Sequence, residues 1–133
     1  MPAIVRQGLR VIWAAPATLA GLVLACLALC RGRIQIVDGV IEAHGPWLAS
    51  GLRHLIPIPG GAAAITIGHV VLGTDARALE RTRSHERIHV RQYERWGPLF
   101  IPAYFAASLG LLAMGRDPYF ENPFEREAFR LES

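Results

Sequence analysis

The chain has 133 residues, enough for one small domain with accessory segments. Its hydrophobic fraction of 52% is high for a soluble domain, and its net charge of +3 comes from arginine alone. The arginines are spread along the chain, so composition points away from a nucleic-acid stripe and toward membrane-surface and solvated-face charge.

Much of the apolar excess lies in two charge-free blocks. The first, residues 11–30, has the roughly 20 residues needed to cross about 30 Å of hydrocarbon. Arg6 and Arg10 precede it, Arg31 and Arg33 follow it, and both pairs can snorkel to headgroups. Pro16 would kink such a helix without forbidding it. A cleaved signal peptide is the competing reading, but the apolar run continues past Cys26 through Leu27, Ala28 and Leu29 with no clean cleavage site. A retained anchor over residues 1–32 is therefore expected. Basic residues at both ends leave its orientation open. Cys26 and Cys30, at i and i+4 in this run, read as packing residues, not as a disulfide framework.

The remaining residues, 33–133, read as one minimal domain. Arg33–Val37 and Val40–Ala43 flank Asp38-Gly39, a strong hairpin signal. Residues 46–56 suit a short amphipathic helix, and Pro57, Pro59, Gly60 and Gly61 force a loop. Residues 64–72, AITIGHVVL, read as a third strand. Thr74 or Asp75 can cap a helix from about Ala76 to Trp96, where Gly97-Pro98 stops it. The second apolar block, residues 98–114, is shorter and holds Pro98 and Pro102. It suits a tilted span, a re-entrant segment or a packed helix of the domain. After a turn at Gly115–Pro118, Asn122 caps a final helix with Pro123 in its first position. Trp13, Trp47 and Trp96 are candidate markers of a membrane interface.

The chemistry sits on the Ala76–Trp96 helix, in His85-Glu86-Arg87-Ile88-His89. Residues at i and i+4 share a helical face, so His85 and His89 can bind one zinc ion. Glu86 is placed to act as a general base on zinc-activated water. A catalytic zinc usually has three protein ligands and an open position. No histidine follows His89, so the third ligand must be a downstream carboxylate, with Glu125 and Glu127 available, or His69, His54 or His44 upstream.

His85–Gln92, HERIHVRQ, and Glu125-Arg126-Glu127-Ala128 together resemble the gluzincin metallopeptidases, whose simplest members are the single-domain minigluzincins. The tail Asn122-Pro123-Phe124-Glu125-Arg126-Glu127-Ala128 is also similar to that of a group of short bacterial membrane proteins. The two motifs cover about a tenth of the chain. The resemblance implies an α+β fold: a small antiparallel sheet packed on the HExxH helix and on a C-terminal glutamate helix. It implies zinc held by His85, His89 and Glu125, with Glu86 as catalytic base. It also implies an edge strand that pairs with substrate, for which Ile65–Leu72 is the candidate, and an oxyanion donor, for which Tyr93, Tyr104, Tyr119 and Arg126 are available. One departure stands out. Gluzincins commonly carry an aspartate four residues after the ligand glutamate, supporting a ligand histidine, and this chain has Phe129 there. Asp75 or a backbone carbonyl is expected to take that role, or the metal is held weakly.

The expected function is thus that of a membrane-associated zinc endopeptidase acting on a peptide or protein substrate. The alternative is a non-catalytic membrane module that keeps zinc for folding. No phosphate loop or Ser/His/Asp order competes with either reading.

Overall fold

The computed structural model describes residues 2–26, 32–56 and 61–132. Cys30, Arg31 and most of the expected loop, residues 57–60, lie outside them. The elements in chain order are α1 (Ala3–Ala25), β1 (Arg33–Val37), β2 (Val40–His44), α2 (Pro46–His54), β3 (Ala64–Ile67), β4 (Val70–Gly73), α3 (Ala76–Trp96), α4 (Phe100–Ala113) and α5 (Pro123–Leu131), with a 3₁₀ turn over Gly97–Leu99. The chain is α+β, with one four-stranded sheet ordered β1-β2-β4-β3.

The sheet is mixed, not antiparallel as expected. β1 and β2 pair antiparallel through a tight turn in which Asp38 and Gly39 both take positive φ, at 51° and 78°. Such a two-residue turn requires that backbone and Asp-Gly tolerates it. The expected third strand over 64–72 is in fact a second hairpin. It folds back at Gly68-His69, with Ile67 opposite Val70. Gly68 has φ 66°, and a side chain there would run into Thr18 of α1. The alternation of β-prone residues on either side hides the reversal, because each half reads as strand. The reversal places β4 beside β2 in parallel, with Ile41 opposite Val70.

β4 is buried on both faces and divides the core. Val70 and Leu72 join Ala25 of α1, Ala43 of β2 and Leu48 of α2. Val71 points the other way, into a cluster with Leu79 and Val90 of α3. The sheet therefore lies between α1 and α2 on one face and α3 on the other. Burial of these side chains supplies the main driving force, about 1.5–3 kcal/mol for each fully buried Val or Leu.

α3 is placed by its N-terminal cap and three of its faces. Asp75 caps it, accepting from Ala78 N at 2.8 Å. Arg83 and Arg87, one turn apart, both reach Glu42 on β2, which is 1% exposed. Burial would raise the Glu42 carboxyl, but the two guanidiniums and Gln35 outweigh it and hold the carboxyl below its ordinary value. Residues two further along a helix turn by about 200°, so His85 and His89 face away from this clamp. Tyr93, on another side, packs with Phe100 and with Ala14 and Ala17 of α1.

Ala14, Ala17, Gly21 and Ala25 form the buried stripe of α1, while Ile4, Ile12, Leu19 and Val23 remain exposed on its outer side. Two helical stretches, Ala3–Ala25 and Ala76–Ala113, are long and apolar enough to cross a membrane, a test that signal sequences and core helices also pass. The charge-free helix of the second stretch is α4. Its 14 residues rise about 21 Å, short of a bilayer's ~30 Å. Trp13, Trp47 and Trp96 are all exposed, and Trp13 Nε1 donates to Arg95 O.

Candidate metal centre

His85 and His89 project from α3 toward α5, whose entry is set by Asn122. That side chain is fully buried, accepts from Phe124 N at 2.9 Å and donates to Tyr104 O and Ser108 Oγ. Pro123 occupies the first helical position, where its missing N–H costs nothing. The cap directs Glu125, in the first turn, at the two imidazoles. Glu125 Oε1 lies 3.0 Å from His85 Nε2 and 3.1 Å from His89 Nε2. All three residues are buried. One ligand atom from each lies within 4.8 Å of the others, so the cluster could hold a metal ion.

The donor set fits a zinc ion. Ligand atoms sharing one zinc through bonds of ~2.0–2.2 Å lie roughly 3–4 Å apart. The outer ring nitrogens are also occupied. His85 Nδ1 donates to Glu132 Oε2 and His89 Nδ1 to Gln92 Oε1, each at 2.8 Å. Protons fixed on both Nδ1 atoms turn both Nε2 lone pairs toward the same point, the tautomer a metal needs. Gln92, fully buried, is held in turn through donation to Phe124 O and Glu127 Oε1.

These contacts answer the departure at Phe129. Asp75 is engaged in capping α3 and supports neither histidine. No backbone carbonyl takes the role among the described residues. Glu132, the residue that ends α5 three positions beyond Phe129, supports His85, and Gln92 supports His89. Phe129 packs its ring on His85 at 4.5 Å between centroids. Sequence reading missed both supports. For Gln92 the signal was present, since i+3 from His89 places it one turn away on the same helix. For Glu132 there was none, because its contact depends on how α5 crosses α3. We expect Glu132→Gln to weaken metal binding about 10–100-fold in a chelator competition. Unchanged affinity would remove Glu132 from the site.

No match to this chain was found among family models, curated proteins or solved structures. The reading of the centre therefore rests on its geometry.

Glu86 is buried beside β3, where Thr66 Oγ1 donates to its Oε2 at 2.6 Å. Burial raises its carboxyl above the ordinary value, against the pull of His89, Thr66 and His85. A carboxylate raised in this way is a better proton acceptor near neutral pH. β3, not the whole of 64–72, is the edge strand beside it, since β4 is central. Among the expected oxyanion donors, Tyr104 OH donates to Glu125 Oε2 at 2.6 Å, and Tyr93 OH donates to Thr66 O. Tyr119 packs edge-to-face with Phe120 and Phe129, and Arg126 lies exposed on α5. Only Tyr104 of the four makes a hydrogen bond to the cluster among the described residues.

His69 is not in the cluster. It lies against α1, with Nε2 2.9 Å from Glu94 Oε2 and its backbone N–H donating to Thr18 Oγ1. His44 and His54 are likewise outside the cluster. Glu127 accepts from Arg95 and Gln92, one step removed from the ligand atoms.

The metal-free centre has its own pH signature. Burial would lower the His89 imidazole, but the bond and charge of Glu125 outweigh it and raise it to about 9. Burial would raise Glu125, but bonds from His85, His89 and Tyr104 hold it down to about 2. The stability from His89 is full below its ordinary 6.5 and is lost as pH rises through about 9. That from Glu125 is full above its ordinary 4.5 and is lost as pH falls through about 2. His85 and Glu86 are raised as well, so they add to the loss on the alkaline side, and the chelated protein should melt progressively lower as pH rises from about 6.5 to 9. A melting temperature that climbs from pH 6.5 to 9 would contradict this pairing.

Proposed function

We propose that this chain is a membrane-anchored zinc endopeptidase of gluzincin type. The observation that carries the reading is the convergence of His85 Nε2, His89 Nε2 and Glu125 Oε1, with both histidines oriented from behind. The order HExxH helix, then glutamate helix, supports the same family. When bound, zinc supplies Lewis-acid polarisation of water and of the scissile carbonyl. Glu86 accepts the proton of the attacking water and then passes it to the leaving amine. Thr66 holds Glu86 Oε2, which leaves Oε1 without a hydrogen-bond partner among the described residues. Tyr104 holds Glu125 Oε2, so that Oε1 is the atom turned to both histidines. The outward backbone groups of β3 can pair with an extended peptide beside Glu86. The exposed face of α1 supports the anchor.

The test is cleavage of a broad peptide library by detergent-solubilised protein that is zinc-loaded, chelated or reloaded. Cleavage that is lost on chelation and restored by zinc supports the peptidase. Tight zinc with no cleavage of any peptide turns the reading to a module that holds the metal for folding.

A further inference from the structure

α3 lies between α1 and α5, and these three helices line a groove of about 270 Å³ that contains none of the three candidate metal ligands. Ile88 and Leu131 supply apolar lining, and Arg10, Arg91 and Arg95 supply three positive charges, one or two from each of α1 and α3. Against these three positive charges the groove also carries two carboxylates, Glu94 and Glu127, so one positive charge is left over. Glu94 accepts from Gln7 and meets His69, and Glu127 accepts from Gln92 and Arg95. Arg10 and Arg91 have no ion-pair partner among the described residues. The basic surface continues along α5 at Arg126 and Arg130. Beside Arg10, Leu9 and Ile12 expose half or more of their surface on the outer side of α1.

We propose that this groove binds the phosphate of an anionic phospholipid whose acyl chains lie along the exposed face of α1. Arginine forks match phosphate oxygens, and basic pockets between membrane-associated helices suit anionic headgroups. The apolar lining and the neighbouring apolar helix favour a lipid over free phosphate, which has no use for either. The inference rests on the membrane reading of α1. It goes beyond that reading in naming the lipid class and the residues that select it.

The test uses the full chain and vesicles of phosphatidylcholine, with or without phosphatidylglycerol. The native protein should prefer the anionic vesicles by roughly tenfold or more, and added salt should reduce the preference. Replacing both Arg10 and Arg91 by Gln should abolish most of that preference while leaving binding to neutral vesicles intact. Replacing the exposed Arg77 and Arg81 by Gln removes the same charge elsewhere and should leave the preference intact. Equal losses in the two double variants would overturn the groove, as would an unchanged preference in the first. Competition by millimolar inorganic phosphate as effective as that by the lipid would also overturn it, in favour of a soluble anion. Failure to bind neutral vesicles, with the anionic preference intact, would sink the anchor reading but not the groove.

Discussion

Glu86→Gln is expected to lower peptide cleavage by about 10²–10⁴-fold, the usual contribution of a positioned general base, while zinc content stays unchanged. The amide has the shape of the carboxylate but cannot accept the proton of the attacking water. It can still accept from Thr66 Oγ1, the bond that now holds Glu86 Oε2 at 2.6 Å. Glu86 makes no hydrogen bond to His85, His89 or Glu125, so the metal ligands should not move. Removing a buried charge should leave stability equal or slightly higher, since burial disfavours the ionised form. Activity, metal content and melting temperature measured on one preparation separate these effects. Undiminished cleavage with zinc retained would eliminate Glu86 as the base.

Glu125→Gln should release the metal. A neutral amide is a far poorer zinc ligand than a carboxylate, and two histidines alone do not make the three-ligand site of a catalytic zinc. The loss of affinity should exceed the ~10–100-fold expected when a supporting residue is removed. Glu127→Gln is the matched control two residues away. Glu127 touches Gln92 and Arg95 but no imidazole, so its loss should act only through the orientation of His89. Metal analysis after dialysis distinguishes the two. If Glu127→Gln loses zinc and Glu125→Gln keeps it, the ligand assignment is reversed.

Much of this arrangement is legible in the sequence. The limits of α3 matched the cap at Asp75 and the stop at Gly97-Pro98, because capping and helix termination are decided within a few residues. The Asp38-Gly39 hairpin and the Asn122-Pro123 entry to α5 were readable for the same local reason. The reversal at Gly68-His69 was not. A single glycine inside a β-prone run is compatible with a continuing strand, and Thr18 of α1, fifty residues earlier, occupies the space beside it. The mixed sheet follows from that one reversal.

The metal centre divides in the same way. Helical periodicity alone puts His85 and His89 on one face and Glu86 about a hundred degrees round from His85. Three things needed the tertiary structure: which carboxylate completes the set, which groups orient the imidazoles, and where His69 goes. Glu125 and Glu127 are two residues apart on α5, so only the angle at which α5 crosses α3 turns one inward and the other to Arg95. Glu132 reaches His85 by the same crossing, and takes the place that a local reading of Phe129 left empty. Local sequence sets what each element is and which side chains share its face. Contacts between elements depend on packing angles that arise only when the apolar faces are buried against one another.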